Sequence, residues 1–524
     1  MLLFNKGLFP GCPRLVVQTK APVALFQILI RILQAQHDDG SWGSCEETAY
    51  ALLTLASLSA LPFISIMVPT IQLALDSGRR FLSENVIEQE TSDKACLWID
   101  KVTYCIPPLS YSYVLAALHA TSVPVPGYSP SMTGDIDRLV LVPTQKVNHF
   151  LRFYRKLPIY RECKDWQLLA YIAEGYLYLP ALIDLCKSEL GRRTVPRHLE
   201  CTPFAWTSAN RLAKRYSSPQ NCFFGMTFTV LLVRCLSSLR ESDNDVISQF
   251  EIDEFYDLTL RDEGPEVHPI LRTFLDDIFD ALDEGKDVRN IERFGSSYPA
   301  IFRDLHKCIC FAAYYPAVQE ASDYDQSHSR RELKACLVAM AQQNEDGIRY
   351  AAQTPGKRRL NVPASYMKWV RTVGSEHVAA LTVGSSFICN LSQETDVFQT
   401  PELKFIAQDC LTHNAVLARI WNDWSSIHRD ITEFNINTVH FPEFSGLDET
   451  QIRGEIERIA EYERKMMLTS LRELRERAKK VVGERKGDAC VNAFELFFRA
   501  SEAYTAIYRY KDLGAAKFNG QTPL

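Results

Sequence analysis

The 524-residue chain has no CxxC pair and no Cys/His cluster at zinc spacing among its 15 cysteines; the closest two, Cys308 and Cys310, flank a single Ile. A zinc finger or ribbon core is thereby excluded, and the expectation is reduced thiols in a cytoplasmic protein. Excess positive charge is lacking too. With 58 Lys and Arg against 64 Asp and Glu the net charge is −6, which gives no electrostatic footprint for nucleic acid. Sustained apolar/polar alternation is nearly absent, as are internal repeats and low-complexity tracts, so neither a sheet-based nor a repeat architecture is expected. The N-terminal stretch "MLLFNKGLFPGCPRLVVQTK" lacks the apolar run followed by small residues of a secretory signal, and no targeting segment is expected.

What is present is ordinary globular material, 46% hydrophobic and 23% charged, enough for two or three domains. One run, residues 49–75, carries no charge over 27 residues and is long enough to cross a bilayer. Pro62, Pro69 and five Ser or Thr interrupt it, and no Lys/Arg cluster flanks it, so two buried helices broken at Pro62 are expected and no integral membrane span. Residues 173–190, 330–343 and 455–482 show the 3.6-residue period, which predicts an all-α protein. The stretch "SVPVPGYSPSMTG", 122–134, has little to bury and reads as a linker. It divides an N-terminal piece, 1–121, from a domain at 139–524, with the linker taken as 122–138.

Chemistry concentrates in "WNDWSSIHRDITEFN", 421–435. On a helix, positions i, i+4 and i+8 drift by only about 40° per step, so Asn422, Ser426 and Asp430 share a stripe. Amide, hydroxyl and carboxylate oxygens are hard donors suited to Mg²⁺. The approach "NAVLARIW" is apolar, and a polar stripe entering a core needs partners, which a metal would supply. Spacing alone also fits a solvated helix face. A second acidic site, "DEFYD", places Asp253 and Asp257 one turn apart, where a cation between them would relieve their repulsion. "DDIFD", with Asp276, Asp277 and Asp280, has the same spacing and stands as its alternative.

"NDWSSIHRD" fits the N-D-x-x-S-x-x-x-[DE] metal motif of class I terpene synthases, and "DEFYD" resembles their aspartate-rich motif. The likeness extends through "DDGSWGSCEETAYALLTL", "LWIDKVTYCIPPLSYSYVLAAL", "TPGKRRLNVPASYMKWVRTVGSEH" and "RDITEFNINTVHFPEF". From about residue 25 onward the chain resembles the C-terminal part of fungal bifunctional copalyl diphosphate/ent-kaurene synthases. The resemblance implies a class I α-helical bundle preceded by a truncated, class II-like α/α-barrel remnant. Gln36, Gly40 and Trp42 fit the family's Q-x-x-x-G-x-W pattern, whose role is structural. The bifunctional enzymes also carry a D-x-D-D general-acid motif, and this chain contains none, so only ionisation-initiated chemistry is expected. The implied substrate is a small-molecule prenyl diphosphate, first geranylgeranyl diphosphate, with copalyl or farnesyl diphosphate as alternatives; a silent helical scaffold is the rival reading. Arg371, Arg429, Arg509 and Tyr510 are placed near the diphosphate by the resemblance and by bidentate geometry. Phe255, Tyr256, Trp369, Phe387 and Trp424 are candidate walls for the carbocation.

Overall fold

The computed structural model describes residues 20–85, 97–99, 102–104, 107–120, 144–182, 184, 197–214, 267–290, 300–353, 364–392 and 395–509. The chain divides into two compact units. The first runs to Ala181 and takes in Lys214–Gln220; the second comprises Leu182–Ala213 and Asn221–Pro523. The described residues are helical apart from one two-stranded hairpin, in keeping with the all-α expectation.

In the first unit the helices are α1 (Ala21–Ala35), α2 (Cys45–Ser59), α3 (Val68–Asn85), α4 (Pro107–His119), α5 (Thr144–Tyr154) and α6 (Asp165–Tyr176). The hairpin pairs β1 (Leu97–Ile99) with β2 (Val102–Tyr104) in antiparallel register. A capping box starts α2: Ser44 Oγ accepts from the Glu47 N–H, and the Glu47 carboxylate accepts from the Ser44 N–H. The charge-free run is broken as its prolines require. Helix α2 ends at Ser59, Pro62 opens a 3₁₀ turn at Pro62–Met67, and α3 begins at Val68. Among the described residues no helix is long and apolar enough to cross a membrane. The stretch 122–138 lies outside the described residues. Beyond it, α5 and α6 still group with the first unit, where Gln27 Nε2 donates to the buried Glu174 carboxylate at 3.0 Å.

Gln36, Gly40 and Trp42 act as a tie between helices. Gln36 Nε2 donates to the Gly40 carbonyl at 3.0 Å and to Ala74 O at 3.1 Å, linking the turn after α1 to α3. Trp42 Nε1 donates to Ile32 O at 2.7 Å. Gly40 has φ +91°, and a Cβ there would stand 2.6 Å from the Ser77 backbone oxygen. Gly43 also has positive φ, +111°, but a Cβ there meets only the carboxylate end of Glu47, which can swing away. Urea denaturation should therefore separate the two alanine substitutions. Both incur about 1–2 kcal/mol for left-handed backbone, and Gly40→Ala loses more because α3 must move. Equal losses would contradict the close approach to Ser77.

The second unit contains α7 (Arg197–Leu212), α8 (Val267–Asp283), α9 (Ala300–Ala313), α10 (Asp323–Ala351), α11 (Tyr366–Val370), α12 (Val373–His377), α13 (Ala380–Leu391), α14 (Pro401–Glu433), α15 (Glu449–Val482) and α16 (Glu484–Tyr508). The 33-residue α14 and 34-residue α15 pack lengthwise and antiparallel. Ser470 donates to Asp409 near one end of the pair, and Arg453 donates to the Trp424 carbonyl near the other. An apolar core fills the space between α8, α9 and α10, with Phe274 stacked on Phe302. Helix α7 packs against α16, and Trp206 lies 5.5 Å from Phe387, which also stacks on the Phe497 ring.

Candidate metal centre

Helix α14 starts at Thr400, whose side chain accepts from the Leu403 N–H, with Pro401 in the first turn. It carries Asn422, Ser426 and Asp430 on one stripe. Ser426 is 0% and Asp430 4% exposed, so two of the three ligand candidates are buried, which a solvated helix face does not require. The helix stops at Phe434, whose φ of +60° is left-handed and reverses the chain; the N–H groups of Phe434 and Asn435 both bond the Asp430 carbonyl.

That reversal folds Asn437 back onto the stripe. Its Nδ2 donates to Asp430 Oδ2 at 2.6 Å and to the Asp423 carbonyl at 2.9 Å. Ser426 Oγ lies 2.6 Å from the same Oδ2 and 2.9 Å from the Asn422 carbonyl. Among the described residues both donors to Asp430 are neutral, and its charge is left for a cation. Three oxygen donors, one of them an uncompensated buried carboxylate, fit a hard divalent ion. Asn422 is half-buried at the near end of the stripe. No group of three or more His, Cys, Asp or Glu suited to a metal occurs among the described residues.

Asp423 and Arg419, one turn apart, lie beside the stripe and are also buried. Arg419 Nε is 2.9 Å from Asp423 Oδ1, while Thr438 donates both its N–H, at 2.9 Å, and its hydroxyl, at 2.6 Å, to Oδ2. Burial pushes the Asp423 carboxyl up to about 6; Arg419 and Thr438 oppose this, and neighbouring Asp430 adds to it. Arg419 also donates to Ile436 O, an acceptor shared with Gln343 of α10, and its guanidinium lies 4.8 Å over the Trp369 ring.

The other expected site residues are placed as follows. Arg429 is buried on α14, 3.9 Å from Glu433. At about 100° per residue it lies within about 20° of Asn422 around the helix, on the same face but about 10 Å further along the axis. Arg509 pairs with Glu457 at 3.1 Å and covers the Trp421 ring at 4.4 Å, which puts it beside the start of the stripe. Arg371 is held by the buried Glu463 at 2.5 Å, and Glu463 in turn meets His413 at 2.5 Å. His413 lies about 180° around α14 from Asn422, so Arg371 is not brought to the stripe. Asp253, Asp257 and Tyr510, with Phe255 and Tyr256, lie outside the described residues. In the alternative acidic run, Asp276 and Asp280 are exposed on α8 and flank Lys334 at 2.9 and 3.7 Å, an ion-paired surface that already has its cation. Of the aromatic candidates, Trp369 and Trp424 have arginines over their faces, and Phe387 is buried between Trp206 and Phe497.

No family model matches the chain. Among curated proteins it is 30% identical to the pimaradiene synthase pbcA of Emericella nidulans over 94% of this chain and 51% of that protein. The chain is a homologue of the fungal diterpene synthases. This homologue is also 27% identical to the bifunctional premutilin synthase of Rhodocybe pseudopiperita, over 95% of this chain and 50% of the other. Against the ent-kaur-16-ene synthase of Fusarium fujikuroi the identity is 25%, over 95% and 52%. The chain thus spans about half the length of the curated relatives it matches.

Proposed function

We propose that the chain is a class I diterpene cyclase that ionises geranylgeranyl diphosphate and cyclises the cation to a hydrocarbon or simple alcohol. The observation that carries this reading is the buried oxygen stripe of Asn422, Ser426 and Asp430, with a carboxylate that no described cation neutralises. The diterpene synthases to which the chain is homologous support the substrate class. Mg²⁺ held by these three residues, with Asp253 and Asp257 as the second acidic site, would supply the positive charge that lets diphosphate leave. Arg429 and Arg509 would offer bidentate donors to the diphosphate oxygens, and Tyr510 follows Arg509 directly. The buried aromatic group around Phe387 would wall the cation from water. Residues 1–121, tied by Gln36, Gly40 and Trp42, we read as part of an α/α-barrel domain.

Copalyl diphosphate is the second substrate reading, favoured by the identity to the ent-kaur-16-ene synthase. Purified protein incubated with Mg²⁺ and geranylgeranyl, copalyl or farnesyl diphosphate, followed by gas chromatography with mass detection, tests the proposal. A cyclic product from geranylgeranyl diphosphate that disappears with EDTA is expected. Product from copalyl diphosphate alone would move the assignment to the second reading, and product from none would remove the enzyme.

A further inference from the structure

The amide of Asn437 is used on both sides. Its Oδ1 accepts from the Val439 N–H at 3.2 Å and so belongs to the loop that contains it, while its Nδ2 reaches Asp430 Oδ2, the Asp423 carbonyl and, at 3.5 Å, Ser426 Oγ. The backbone around it is fixed as well. The Asn437 N–H donates to His440 Nδ1 at 3.1 Å, and the next residue, Thr438, is clamped twice to Asp423 Oδ2. Asn437 is completely buried, so its orientation is set by these contacts and not by water.

The arrangement has a directional consequence for Asp430. Both of its donors, Ser426 Oγ and Asn437 Nδ2, take the same oxygen, Oδ2, and among the described residues Oδ1 has no donor. The carboxylate therefore cannot turn without breaking two hydrogen bonds in a buried site. The Ser426 proton is directed to Oδ2 or to the Asn422 carbonyl, and a lone pair beyond the one facing Asn437 Nδ2 remains for a cation. From this we infer that Asn437 is a positioning residue. It locks Asp430 Oδ2 and orients Ser426, so that Asp430 Oδ1 and Ser426 Oγ are presented to a divalent cation. The inference rests on the proposed reading of the stripe as a metal site, and it adds a residue that lies outside the N-D-x-x-S-x-x-x-[DE] run.

The test is thermal unfolding of the wild type, Asn437→Ala and Asn437→Asp, titrated with MgCl₂ in the presence of inorganic diphosphate. The wild type should gain Tm as Mg²⁺ rises. Loss of an outer partner of a metal ligand typically costs about 10–100-fold in metal affinity, so Asn437→Ala should shift the half-saturating Mg²⁺ upward by at least about tenfold. Asn437→Asp places a second carboxylate against Asp430. Its metal-free Tm should fall, and its gain on adding Mg²⁺ should exceed that of the wild type, because the cation relieves the repulsion. This variant keeps the test decisive where Asn437→Ala folds poorly. A merely structural asparagine would lower Tm in either variant without moving the Mg²⁺ dependence, and that result would overturn the inference alone. A wild type with no Mg²⁺-dependent shift would overturn it together with the metal reading of the stripe.

Discussion

On the proposed reading, Asn422→Ala is expected to turn over geranylgeranyl diphosphate at least about 10²-fold more slowly than the wild type, in line with the loss of one group that stabilises charge developing on the leaving group. Helical circular dichroism and Tm stay close to wild-type values. Asn422 suits this experiment because its side chain stands at the half-buried end of the stripe, whereas Ser426, Asp430 and Asn437 bond one another behind it. The Asn422 backbone carbonyl accepts from Ser426 Oγ, and alanine keeps that acceptor. Truncating Asp430 would instead strip the donors of Ser426 and Asn437 of their shared acceptor and confuse stability with chemistry. Turnover is read as product per enzyme by gas chromatography at saturating Mg²⁺. If Asn422→Ala remains fully active there, the metal assignment of the stripe fails.

Asp423→Ala is expected to unfold at markedly lower urea, with a stability loss of about 3–5 kcal/mol, the usual effect of removing one partner from a buried ion pair. Two hydrogen bonds and one ion pair converge on this carboxylate: both polar hydrogens of Thr438 donate to it, and Arg419 lies 2.9 Å away. Its loss leaves the Arg419 charge buried with the Ile436 carbonyl, His377 and the Trp369 face as its remaining contacts. Arg419→Met combined with Asp423→Leu removes both charges and replaces them with apolar volume. The double variant is expected to lose much less than the two single losses added together. Additive losses would show that the pair is not coupled. The effect also reaches the stripe, since Thr438 is the neighbour of Asn437 and loses its anchor in Asp423→Ala.

The helical nature of the chain and the shared face of Asn422, Ser426 and Asp430 were legible because both follow from the 3.6-residue period, which needs no tertiary information. Asn422, Ser426 and Asp430 fall on one line of α14 for that reason alone. Asn437 was not legible. It reaches Asp430 through a chain reversal at a left-handed Phe434, and a phenylalanine in a polar stretch gives no sign of positive φ. Arg371 illustrates the opposite failure. Its residue type suits a diphosphate, but only packing reveals that a buried Glu463 from α15 holds it on another side of α14. Spacing could not show that Asp276 and Asp280 of "DDIFD" are exposed and paired with Lys334 either, because exposure and that partner come from tertiary contacts. The Pro/Gly-rich stretch at 122–134 has little to bury by composition and lies outside the described residues. Which unit the following helices join depended instead on the packing of α6 against α1, seen in Gln27 and Glu174. The hairpin of Leu97–Ile99 and Val102–Tyr104 passed unnoticed because three-residue strands carry no readable alternation.

The central claim is that a divalent cation on Asn422, Ser426 and Asp430 ionises a C20 prenyl diphosphate. Release of inorganic diphosphate from geranylgeranyl diphosphate by the purified chain, followed while MgCl₂ is added to metal-free protein, measures that event without regard to which skeleton forms. Diphosphate release that begins with Mg²⁺, stops with EDTA and is lost in Asn422→Ala is the predicted result. Release that ignores Mg²⁺, or none from geranylgeranyl, copalyl or farnesyl diphosphate, would contradict it.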